Sequence, residues 1–142
     1  TFSELVPAHA DLIQKNILEN NLDSSRATIV TGDLFAKIKD DTRYDIIATN
    51  PPYLPTTRDL GDEVIGYEPS EALFSGIEGL DVIERIATEV SERLLSQGDV
   101  WLECDISNIE HANDLCTQGG ASYTRTIIDL YGRPRLLVAY YL

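Results

Sequence analysis

The run Tyr44-Asp45-Ile46-Ile47-Ala48-Thr49 stops abruptly at Asn50-Pro51-Pro52-Tyr53. The run is β-branched and apolar enough to be a strand buried on both faces, as in parallel sheets. Two consecutive prolines cannot continue a ladder, because each lacks an N–H and has its φ fixed. The chain must therefore leave the sheet stiffly at the carboxyl end of that strand. Open α/β sheets bind their ligands at that end. A side-chain amide, rigid carbonyls and an aromatic face are presented together there. That set suits a planar nitrogen nucleophile, such as an amide or the amino group of a base.

The rest of the chain alternates strands with helices. Thr1 to Leu5 reads as the tail of a strand. Pro7 suits a first helical turn, and Leu12, Ile13, Ile17 and Leu18 follow at helical spacing up to Asn20-Asn21. Ala27–Thr31 is a short strand closed by Gly32-Asp33. Residues 51–78 form a long stretch rich in Pro, Gly and acids, and a loop of that length in a compact domain is usually functional. Leu80, Ile83, Ile86, Ala87, Val90, Leu94 and Leu95 predict an amphipathic helix ending near Gln97-Gly98. Val100–Cys104 predicts a strand, and Asn108–Gln118 a helix stopped by Gly119-Gly120. Thr124–Leu130 and Arg135–Tyr141 predict an antiparallel pair joined by a tight turn. The alternation means a parallel α/β sheet. With a closing hairpin, it is the strand pattern of Rossmann-like class I methyltransferases that use S-adenosyl-L-methionine. The first strand of that pattern and its glycine-rich turn are absent, and no GxGxG occurs.

Composition narrows the function. The chain has 142 residues and a formal net charge of −13. Such a charge argues against a free-standing domain that grips nucleic acid through phosphates. It suits a basic partner. No apolar run reaches the roughly 18 residues of a membrane span, and no signal peptide is visible. Cys104 and Cys116 are the only cysteines and lack CxxC spacing, so they read as free intracellular thiols, buried or half-buried. His9 and His111 stand far apart without clustered ligands, so no metal site is expected. The absence of methionine fits a processed or partial chain.

Several motifs together resemble one family. Gly32-Asp33-Leu34-Phe35, the Tyr44–Tyr53 run, Tyr67-Glu68-Pro69 and Gly76-Ile77-Glu78-Gly79-Leu80-Asp81 are similar to the release factor glutamine methyltransferases. Leu102-Glu103 and Asp129-Leu130-Tyr131-Gly132-Arg133-Pro134-Arg135 are similar to that family's carboxyl terminus. The Leu-Glu-x-Asp and Gly-Arg-Pro-Arg variants look more like eukaryotic mitochondrial members than the bacterial form, where Glu-x-Gly is usual. The resemblance covers nearly the whole chain and begins just after the family's glycine-rich motif. Residues 1–142 are thus expected to be the carboxyl-terminal part of one catalytic domain, inactive alone. The Asn-Pro-Pro-Tyr motif by itself is shared with DNA and RNA amino-methyltransferases. Tyr67-Glu68-Pro69 and Gly79-Leu80-Asp81 are what favour a protein glutamine.

The resemblance implies roles for particular residues. Asn50, Pro51, Pro52 and Tyr53 would form the catalytic turn. The Asn50 side-chain oxygen and the Pro51 carbonyl would accept the two hydrogens of a substrate amide, with Tyr53 beside it and Glu68 ordering the long loop near the substrate. Glu4 would bind the ribose hydroxyls of S-adenosyl-L-methionine, Asp33 its adenine amino group and Leu34 the ring, with Asn50 also at the cofactor. From the residues alone, Arg133 and Arg135 would meet the partner or an internal carboxylate, or be solvated at the surface. Trp101 reads as core, and Asp105 as a cap for the next helix. The expected reaction is methyl transfer to the Gly-Gly-Gln glutamine of a class 1 peptide chain release factor. The expected enzyme is a soluble, intracellular monomer, mitochondrial if eukaryotic and otherwise cytoplasmic, with no membrane or direct nucleic-acid partner. The alternatives are a DNA or RNA amino-methyltransferase and an inactive methyltransferase-like binding module.

Overall fold

Strand β1 (Phe2–Glu4) pairs in parallel with β2 (Ile29–Thr31), so that Glu4 lies opposite Thr31. Helix α1 (Pro7–Glu19) connects them and opens with Pro7, where a missing N–H costs nothing. It ends at Asn20, with Asn21 at φ 54, a left-handed position that asparagine tolerates. Only Ala10 and Ile17 of α1 are buried, while Leu12 and Leu18 are more than half exposed. A computed structural model describes all residues, Thr1–Leu142. It falls into two compact units, Thr1–Thr42 and Arg43–Leu142. The elements above make the first.

The second unit is a four-stranded sheet in the order β3-β4-β6-β5. Strands β3 (Tyr44–Thr49) and β4 (Leu94–Glu103) are parallel. The predicted hairpin is present: β5 (Tyr123–Ile128) and β6 (Pro134–Tyr141) are antiparallel, and β6 lies against β4. The strands thus form two separate sheets, β1-β2 and β3-β4-β6-β5.

Between β3 and β4 run two single-turn helices, α2 (Asp62–Ile65) and α3 (Ser70–Leu73), and then helix α4 (Asp81–Glu89). Helix α5 (Ile109–Gln118) joins β4 to β5. One face of the sheet carries most of the core, and Val138, paired with Trp101, is the fully buried residue of the other. Val100, Leu102, Leu137 and Ala139 are each at most 1% exposed, as are Ile83, Val90 and Ala112 from the helical layer. Glycine fixes how closely the helices approach, since a Cβ on Gly119 would stand 2.2 Å from the Ala87 carbonyl oxygen. Cys104 and Cys116 are free and buried, as expected.

Two expectations fail here. Strand β3 is not buried on both faces: Ile46 is 59% exposed, and Asp45 and Ala48 are also exposed. Ile46 and Ala48 point the same way along the strand and line an open hollow on the face of the sheet away from α4 and α5, and β3 has a ladder partner on one side only. Helix α4 is also shorter than its periodicity predicts. It ends at Glu89, passes through a 3-10 turn at Val90–Arg93, and gives way to β4 at Leu94. Leu94 pairs with Tyr44, and the next aligned pair is Ile46 with Asp99. Gln97, at φ 68, and Gly98 therefore form a kink within β4 and not a helix cap.

Candidate active site

Asn50 directly follows β3, at the carboxyl edge of the parallel pair, and its side chain is exposed. Pro51 is buried, whereas Pro52 and Tyr53 are half-buried. Asn50 lines an open hollow of about 490 Å³ together with Ile46, Ala48, Thr49, Trp101, Glu103 and Leu136. Most of that wall is apolar; Asn50 and Glu103 supply the polar groups at its rim. Trp101 is therefore a wall residue of the hollow, half-buried, with Nε1 donating to Asp99 Oδ1 at 3.1 Å. A strand tryptophan is usually packed in the core, which is what the sequence leads one to expect of Trp101. Here it lies on the face of the sheet opposite most of the core.

The turn is braced beyond its prolines. The Leu54 N–H donates to the Leu73 carbonyl, Ser75 N–H to the Leu54 carbonyl, and Thr56 N–H to the Gly76 carbonyl. Leu54 forms a parallel bridge with Phe74. The long acidic stretch is thus folded back onto the strand that leaves the motif. Ser75 is 3% exposed, and its hydroxyl accepts from the Val82 N–H, tying the same segment to the first turn of α4. Gly79 sits at φ +77, and a Cβ there would stand 2.3 Å from the Tyr53 carbonyl oxygen. Only glycine allows that approach.

Tyr53 is held at its far end as well. Its hydroxyl donates to Glu103 Oε1 in a long hydrogen bond of 3.4 Å. Burial, and then the Glu103 charge, push the Tyr53 phenol above its ordinary value, with Arg135 opposing. The hydroxyl therefore stays protonated, and a donor, through neutral and mildly basic pH. In the sequence Glu103 stands out only as an acid at the end of a strand, near where such sheets bind ligands. Its tie to Tyr53 spans 50 positions and has no local signal.

The expected cofactor residues divide between the units. Glu4 closes β1, and Asp33 and Leu34 follow β2, so all three stand at the carboxyl edge of one parallel pair. Glu4 Oε1 accepts from the Val6 N–H at 2.8 Å and lies 3.5 Å from His9 Nδ1. Both contacts fall on one oxygen, which leaves Oε2 for a hydroxyl. Asp33 is exposed, and Leu34 is half-buried at φ 48, with its carbonyl accepting from the Ser3 hydroxyl. Glu4, Asp33 and Leu34 are the residues at this edge that could hold the ribose and purine ring of a cofactor. Asn50 belongs to the second unit.

Glu68 is exposed, and the order around it comes from backbone bonds such as Glu68 N–H to the Val64 carbonyl at 2.9 Å. Arg133 takes the internal carboxylate: its Nε and Nη2 each lie 2.9 Å from Asp129 Oδ2, while Asp129 Oδ1 accepts from the Tyr131 and Arg133 N–H groups. Hydrogen bonds from the Arg133 backbone hold the Asp129 carboxyl below its ordinary value. Arg135 Nη1 reaches the Cys104 carbonyl at 3.5 Å. The Asp105 side chain does not cap α5, whose N-cap is Asn108 without a side-chain cap bond; it accepts from the Ser107 N–H and hydroxyl in the turn that leads into the helix. Burial would raise its carboxyl, but those bonds, with Arg58 and Arg135, bring it below its usual value.

No protein-family model matches the chain. It is 32% identical over 130 residues to a release factor glutamine methyltransferase of Rhodopirellula baltica, covering 89% of this chain and 44% of that protein. It is 33% identical over 141 residues to the release factor glutamine methyltransferase of Deinococcus radiodurans, covering 98% of this chain and 48% of that protein. A ribosomal protein uL3 glutamine methyltransferase of Bradyrhizobium diazoefficiens is 40% identical over 95 residues, 66% of this chain and 29% of that protein. The chain therefore spans about half the length, or less, of these curated relatives. A methyltransferase from Pyrococcus furiosus superposes with a TM-score of 0.64 at 16% identity, over 97% of this chain and 60% of that one. A putative methyltransferase solved in complex with SAH superposes at 0.59 with 14% identity, over 97% of this chain and 38% of that one. The resemblance read from the motifs is borne out along nearly the whole chain, and the fold is that of the class I S-adenosylmethionine-dependent methyltransferases.

Proposed function

We propose that the protein containing this chain transfers a methyl group from S-adenosyl-L-methionine to the side-chain amide nitrogen of a glutamine. The proposed substrate is the Gly-Gly-Gln motif of a class 1 peptide chain release factor. The observation that carries this reading is the Asn50–Tyr53 turn, held rigidly at the carboxyl end of a parallel strand beside an apolar hollow. The likeness to release factor glutamine methyltransferases supports the choice of an amide over a base.

An amide nitrogen is a weak nucleophile, because its lone pair is delocalised into its own carbonyl. The bound cofactor supplies an already electrophilic methyl group. What remains for the protein is orientation and exclusion of water. Asn50 Oδ1 and the Pro51 carbonyl would accept the two amide hydrogens and turn the nitrogen lone pair toward the methyl. Tyr53 would pack against the amide plane, its phenol fixed by Glu103. Glu68 would lie along the substrate's approach. Glu4, Asp33 and Leu34 would hold the ribose and adenine. A net charge of −13 suits a basic, ribosome-associated partner.

A second reading rests on one relative, named as acting on ribosomal protein uL3. It keeps the chemistry and changes the protein that bears the glutamine. Incubating the full-length protein separately with a release factor and with uL3, followed by peptide mass spectrometry, discriminates the two. Methylation of the Gly-Gly-Gln glutamine alone is expected. Methylation of uL3 alone would replace the release factor, and methylation of nucleic acid with neither protein modified would defeat both.

A further inference from the structure

Asn108 is 3% exposed and stands at the N-cap of α5. Asparagine is common there because its side-chain oxygen caps the helix's free N–H groups. In this protein it caps nothing. Asp105 handles the helix entry instead: its backbone oxygen accepts from Asn108 and Ile109, and its carboxylate from Ser107. The Asn108 amide points elsewhere. Its Nδ2 donates to the Tyr53 carbonyl at 2.9 Å and approaches the Gly79 carbonyl at 3.4 Å. Both neighbours are acceptors, so only the NH₂ end of the amide fits between them. Oδ1 is left buried without a partner. A buried unmatched acceptor is unfavourable, and its retention argues that the two donated bonds matter.

We infer that Asn108 is a positioning residue that sets the conformation of the Asn50–Tyr53 turn by holding the Tyr53 carbonyl. The inference rests on the proposed function for its catalytic consequence but not for its structural one. Tyr53 is then fixed at both ends, by Asn108 at its backbone and by Glu103 at its hydroxyl. Three segments far apart in sequence meet at one amide: the motif, the Gly79 loop and the start of α5. Gly79 presses on the same carbonyl from another side, since a Cβ there would stand 2.3 Å from it. Asn108 touches no reacting atom in this account; it acts through Tyr53.

The test uses the full-length protein, a recombinant release factor and Asn108→Asp. The substitution keeps the shape but sets a carboxylate against two carbonyl oxygens. The expected result is a fall in kcat of about 10- to 100-fold, the cost of a small misplacement at a reacting centre, with KM for S-adenosylmethionine unchanged. A protonated carboxyl can donate again, and burial raises its pKa. The activity of the variant relative to wild type should therefore recover as pH falls. Hydrogen exchange at the Leu54 and Thr56 amides, whose bonds brace the turn, should quicken. Gly79→Ala, which displaces the carbonyl while leaving Asn108 intact, should give the same kcat-selective loss. It also serves if Asn108→Asp fails to fold. Wild-type kcat in either folded variant, or a loss without faster exchange and without recovery at low pH, would overturn the inference. If wild type itself transfers no methyl, the proposed function fails, and the exchange comparison alone still decides the role of Asn108.

Discussion

Asn50 and Gly79 divide the work of the turn between chemistry and shape. Asn50 is exposed and braces nothing, so Asn50→Ala should leave thermal stability close to wild type while methyl transfer by the full-length protein falls by about 100-fold or more, comparable to losing one oxyanion-type contact. Steady-state kinetics beside a melting curve checks both halves. Gly79 is buried at positive φ, and any side chain there must move the Tyr53 carbonyl. The cysteines are the opposite case. Burial pushes the Cys104 thiol up to about 12 and the Cys116 thiol up to about 11. Thiolate is the reactive form, so iodoacetamide at pH 8 should alkylate neither in the native protein and both after denaturation. Intact-mass analysis reads the difference.

At the scale of elements, the second unit rests on α4 and α5 against the inner face of the sheet. Leu102 is 1% exposed and Ile83 fully buried. Leu102→Ala or Ile83→Ala should each cost about 2–5 kcal/mol in urea unfolding, as buried aliphatic truncations do. The hairpin turn depends on one side chain. Asp129 accepts from two backbone N–H groups and from the Arg133 guanidinium. Asp129→Ala should lower Tm, while Asp129→Asn keeps the Oδ1 acceptor and should lose less. The difference between α4 as predicted and as observed belongs at this scale. Leu94 and Leu95 continue the helical period, but pairing of Leu94 with Tyr44 draws the chain into β4. Tertiary pairing outweighs local pattern, and the pattern alone carries no sign of it.

For the whole molecule, the sequence made legible what is local. The Asn50–Tyr53 exit, the Pro7 start of α1, the Gly119-Gly120 stop of α5 and the closing hairpin all follow from residues near one another. The exposed face of β3, the bracing of Tyr53 by Glu103 and Asn108, and the place of Trp101 in the hollow wall depend on partners far along the chain. Stability against pH is also a property of the whole. Both thiols titrate higher when folded than their ordinary 9.0, so their contribution is complete below pH 9 and lost as pH rises from there toward about 11 for Cys116 and about 12 for Cys104. Chemical unfolding at pH 8 and pH 10 should give the lower stability at pH 10, and Cys104→Ala should reduce that difference. The central claim is that the Asn50–Tyr53 turn presents a glutamine amide for methylation. The most direct measurement supplies radiolabelled S-adenosylmethionine and a release factor to full-length wild type and to Asn50→Ala, then maps the label to a residue. The account predicts N-methylglutamine in the Gly-Gly-Gln motif with wild type and labelling slowed by about 100-fold or more with the variant; label on another residue type, or equal labelling rates with both proteins, would contradict it.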